Sequence, residues 1–184
     1  MVDVVAGLLA LQKVVGVSRD VWALGSGGPM VEILGKLADV DAKAAVRAVG
    51  DGRFAAAEAL LYGAYEKQVS IAEGPHFANF FGRHVGFRDV VADARYGAAG
   101  AALAAAEVAR LGNTGVRATW LTRAKENFDA WDERAKEPPP SNNLSRTAPM
   151  VDGTITPSDY EVAERKYKRY KKKRDAFTAV YDRM

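Results

Sequence analysis

The most regular pattern in the chain lies near its C-terminus. Tyr160, Ala163, Tyr167, Tyr170, Arg174, Phe177, Tyr181 and Met184 recur in strict alternation of three and four. This is the spacing of a heptad seam with one arginine intruding, and it predicts a long helix that buries a narrow stripe. Thr156 stands as its N-cap, Pro157 at its first position and Asp159 as the acid of a capping-box-like start. The same alternation runs through Leu121, Ala124, Phe128, Trp131 and Ala135, with Trp120 beside the seam, until Pro138-Pro139-Pro140 ends that helix.

Between Val90 and Leu111 the pattern is alanine-rich, a strong helix signal despite Gly97 and Gly100, and Gly112-Asn113 stops it. Its small face, Ala94, Ala98, Ala101, Ala105 and Ala109, would let another backbone approach closely. Upstream, Phe54, Ala57, Leu61, Ala64 and Ala72 share a face of a helix that Gly74-Pro75 must end. Gly50-Asp51-Gly52 reads as a turn, Asp41 as the cap of a helix running to Val49, and Met30, Ile33, Leu34 and Leu37 as a short helix before it. Val4, Leu8, Leu11 and Val15 suggest a first helix, broken from the rest at Gly25-Ser26-Gly27-Gly28-Pro29. No strand-like alternation competes over a comparable length, so the predicted fold is all-α: a helical bundle with a proline-rich tether and a long C-terminal basic helix.

Five of the seven prolines fall between residues 138 and 157, the one compositional boundary in the chain. It divides an α-helical body at 1–137 from a linker or arm at 138–156 and a basic helix at 157–184. Fully extended, that arm would reach about 60–70 Å, enough for the last helix to dock on its own body or on a neighbour.

Charge sharpens the picture. Residues 165–174, RKYKRYKKKR, hold eight of the chain's 26 basic side chains and no acid, which leaves 18 basic against 23 acidic in the rest. The formal net charge of +3 is therefore a property of one segment and not of the fold. On a helix, like charges at spacings of three and four repel by about 0.2–0.5 kcal/mol per pair, and Glu161–Arg165 and Glu164–Lys168 return part of this. Docking the tyrosine seam can offset the remainder, so a merely solvated or protein-docking face is one reading. A polyanion would remove the repulsion and gain counterion release. An anionic membrane surface would do likewise, although a narrow tyrosine seam lacks the broad apolar face of an interfacial helix.

Other chemistry is thinly marked. With no cysteine there can be no disulfide, thiolate metal site or cysteine nucleophile. Glu73 and His76 have the spacing of a carboxylate–histidine metal pair, but Gly74-Pro75 lies between them. His84 and Asp89 could form an oriented base, yet no nucleophile is marked nearby; the segment with Phe77, Phe80, Phe81 and Phe87 reads better as bent aromatic core with Arg83 and Arg88 outward. The glycines at 25–28 match neither nucleotide-binding fingerprint, and no cofactor is implied. The apolar run Val4–Leu11 is too short for a membrane span and has no basic lead-in for a signal peptide.

These features point to a non-enzymatic structural or assembly protein that self-associates and contacts DNA or RNA through phosphates, without reading sequence. The expected phosphate ligands are Arg165, Lys166, Lys168, Arg169, Lys171, Lys172, Lys173 and Arg174, while Tyr167 and Tyr170 pack on the body or stack on bases. The competing expectation is a protein–protein adaptor that uses the terminal heptads. In layout, a helical body followed by an extended arm and a basic helix, the chain resembles the α-helical coat proteins of filamentous archaeal viruses, which wrap genomic DNA with bundles and arms. That resemblance rests on the order of segments and not on a motif. It implies a coat or nucleocapsid protein whose partners are copies of itself or a related helical subunit, located in the virion or cytoplasm.

Overall fold

The computed structural model describes residues 29–73, 85–151 and 154–184. The expected first helix, the glycine cluster at 25–28, both histidines and Phe77, Phe80, Phe81 and Arg83 lie outside the described residues. The architecture is all-helical: α1 (Pro29–Gly50), α2 (Phe54–Glu73), α3 (Val85–Gly112), α4 (Arg117–Ala135) and α5 (Asp159–Tyr181). The one sheet among the described residues is a two-residue antiparallel ladder, β1 (Met150–Val151) with β2 (Thr154–Ile155).

α1 packs on α2, α2 on α3 and α3 on α4. α3 is the centre of the body. Ala94, Ala98, Ala101, Ala105 and Ala109 are all buried, as their spacing predicts, but so are Ala99, Ala102, Leu103, Ala104, Ala106 and Val108. A helix apolar around its circumference is one covered on several sides. Close approach has a visible cost limit at Gly112, where a Cβ would lie 2.9 Å from Phe54 Cβ at the start of α2.

Three expectations are corrected. α1 is one continuous helix and not two: Asp41, expected as a cap, lies mid-helix and bonds Lys67 of α2 at 2.5 Å across the α1–α2 interface. The inward face of α2 is Ala57, Leu61, Ala64, Gln68 and Ile71, so Ile71 takes the place expected of Ala72. The cap of α5 is Ser158, whose hydroxyl accepts from the Glu161 N–H while the Glu161 carboxylate accepts from the Ser158 N–H at 2.9 Å, a full capping box. Thr156 is unavailable for that role because both its N–H (2.8 Å) and its hydroxyl (3.0 Å) donate to the Pro149 carbonyl.

The turns follow local chemistry. Gly52 takes φ +73° in the α1–α2 turn. At the end of α3, Asn113 adopts φ 53°, with Thr114 N–H donating to Ala109 O (3.1 Å) and Asn113 N–H to Arg110 O (3.4 Å). This is a Schellman closure with asparagine in the left-handed position. Beyond α4, residues 136–149 are non-helical but not extended away: Tyr160 N–H donates to Ser145 O at 3.0 Å, and the Arg146 guanidinium lies 4.4 Å from the Tyr160 ring centroid. The segment folds back on the start of α5.

Candidate nucleic-acid interface

α5 docks on α3 and α4 of its own chain. Phe177 stacks on Phe128 at 3.9 Å between centroids, with planes 6° apart, and Tyr170 stacks on Trp131 at 5.6 Å. The Tyr170 hydroxyl donates to Asp132 at 2.7 Å. Burial and then the Asp132 carboxylate both push the Tyr170 phenol pKa up from its usual value. Tyr167, half-buried, packs against the same core, as do Val180, Tyr181 and Met184.

The cation at the centre of the dock is Lys173. It is 6 % exposed and forms an ion pair with Asp93 of α3, itself 9 % exposed. Its ammonium lies 5.1 Å from the Tyr96 ring centroid, and its carbonyl accepts from the Tyr96 hydroxyl at 2.9 Å. Burial pushes the Tyr96 phenol pKa well up. Lys173 is therefore withdrawn from the expected phosphate ligands: it holds the helix to the body. The seam is corrected with it. Arg174, expected to intrude, is exposed, and the buried register is Tyr170, Lys173 and Phe177.

The other seven expected ligands, Arg165, Lys166, Lys168, Arg169, Lys171, Lys172 and Arg174, are exposed on the same helix. They are not equally free. Lys168 pairs with Glu164 at 2.9 Å and Lys171 with Asp175 at 2.5 Å, the latter bond raising the Lys171 pKa. The Arg169 guanidinium comes within 3.9 Å of Asp93, at the edge of the buried pair, and Arg165 donates to the Glu161 carbonyl at 3.3 Å. Acids thus bound the basic face at both ends although none interrupts it in sequence. Arg165, Lys168, Arg169 and Lys172, at spacings of three and four, form a row along it.

Sequence reasoning missed the anchors Asp93, Tyr96 and Asp132. The available signal was Asp93 itself, an acid flanked by Ala92 and Ala94 in an alanine-rich helix, where an unpaired buried charge would be costly. Among the described residues no group of histidine and acidic side chains could hold a metal ion, and no helix is long and apolar enough to cross a membrane. Comparison of the chain with protein-family models, with curated proteins and with solved structures finds no match.

Proposed function

We propose that the chain is a non-enzymatic nucleic-acid-contact protein in which α5, fixed to the body through Tyr170, Lys173 and Phe177, offers its outer face to phosphates without reading sequence. The observation that carries this reading is the division of one helix into a docked aromatic face and an exposed face bearing seven cations. Repulsion within that face is relieved by a polyanion, which also gains from counterion release. The adaptor alternative needs the heptad seam as a free surface, and in this chain Tyr167, Tyr170, Phe177, Tyr181 and Met184 of that seam pack into one core with residues of α3 and α4.

The assembly part of the proposal is that copies line up along the nucleic acid as coat or nucleocapsid subunits. The layout of body, arm and basic helix supports it. Two measurements test the whole. Binding to nucleic acid of arbitrary sequence should weaken on the order of 100-fold between about 50 and 200 mM salt if roughly four phosphates are neutralised. Negative-stain imaging should show regular filaments or particles when nucleic acid is added. Weak, salt-insensitive retention contradicts the contact role, and a monodisperse monomer with or without nucleic acid contradicts the assembly role.

A further inference from the structure

Resting on the phosphate-contact reading, we infer that the ligand of α5 is a double-stranded nucleic acid and not a single strand. Proteins that hold single strands combine cations with free aromatic faces on which bases stack. The basic run contains two tyrosines, so this mode was open in the sequence. In the folded chain every aromatic ring of α5 is engaged within the molecule. Tyr160 lies under Arg146, Tyr167 packs on the core, Tyr170 stacks on Trp131, Phe177 on Phe128, and Tyr181 on Phe177 at 5.7 Å. Between Arg165 and Arg174 every exposed side chain is a cation.

Charge density agrees. Arg165 to Arg174 spans about 13 Å at a helical rise of about 1.5 Å per residue. A duplex carries one negative charge per roughly 1.7 Å of axis, hence about eight over that length, whereas one strand supplies about half as many. Seven exposed cations face this density, and the row of Arg165, Lys168, Arg169 and Lys172 meets roughly the four phosphates on the near side of a duplex. The helix is also rigid, capped by Ser158 and Glu161 and pinned by Lys173. A docked helix presents its cations in a fixed row, which suits a stiff partner. Duplex DNA and duplex RNA share this chemistry.

The test is fluorescence anisotropy of the full chain against labelled duplex DNA and duplex RNA of about 20 base pairs, the corresponding single strands, and vesicles containing phosphatidylserine, at low salt. The inference expects at least one duplex to bind roughly ten-fold more tightly than its own single strand, and the two duplex arms identify which source is preferred. Equal or tighter binding of the single strands overturns the duplex inference and leaves the phosphate-contact reading standing. Binding to neither form, or to vesicles alone, overturns that reading itself. A Lys168→Gln/Lys172→Gln variant, altered only at exposed positions, should lose duplex affinity and shed close to two from the magnitude of the log–log salt slope. Unchanged binding by that variant places the contact elsewhere and overturns the inference.

Discussion

Lys173, the seventh in a run of eight cations, is buried against Asp93, eighty residues earlier in the chain, while the Tyr96 hydroxyl holds its carbonyl. Removing one member of such a pair strands a buried charge. Lys173→Met and Asp93→Ala should each cost about 3–5 kcal/mol of stability in urea denaturation, and the double variant should cost clearly less than the two summed. Strict additivity would show that the two groups do not act as a pair.

The two buried phenols set an alkaline limit. Folding raises the pKa of both Tyr96 and Tyr170, so the folded state keeps protons that the unfolded chain releases above about pH 10, the ordinary value. Their contribution is complete below that pH and is lost as pH rises through the folded values. Tyrosinate absorbance should show part of the signal titrating late and together with unfolding. The double Tyr96→Phe/Tyr170→Phe variant should lose the late component.

Ser158 is the working cap of α5. Ser158→Ala should cost about 1 kcal/mol and fray the start of the helix, as followed by amide exchange at Asp159–Glu161, whereas an equal loss from that helix turn in Thr156→Ala would contradict the assignment.

Glu164 and Asp175 pair with Lys168 and Lys171 and, on the proposed reading, would compete with phosphates for them. Glu164→Gln and Asp175→Asn should each tighten nucleic-acid binding roughly three-fold at low salt and steepen its salt dependence, with little change in stability because exposed pairs contribute little.

Gly112 fits against Phe54 without room for a methyl group. Gly112→Ala should destabilise the chain by roughly 1–3 kcal/mol in the same denaturation assay.

The helices were legible where one physical signal dominated. The alanine face of α3 and most of the seam of α4 needed only periodicity: Ala124, Phe128 and Trp131 are buried as it requires, while Trp120, expected beside the seam, is buried and Leu121 only partly so. Asp41 misled because an acid ahead of an apolar stretch looks like a cap until a lysine from another helix claims it. Thr156 misled for a similar reason, since the Pro149 carbonyl that engages it is set by the fold of the arm. On α5, Arg174 fits a strict heptad as well as Lys173 fits a straight helix. Only the position of Asp93 decides between them, and no local pattern reveals which cation meets an acid eighty residues away.

The central claim is that the outer face of α5 binds phosphates while its inner face stays docked. Its most direct test is the salt dependence of duplex affinity for the natural chain and for a variant with Arg165, Lys168, Arg169 and Lys172 all replaced by glutamine, with urea stability measured on both. The account predicts a log–log slope of about −4 for the natural chain and a much shallower one in a variant whose stability is retained. Equal affinity and equal slope for the two proteins would contradict it.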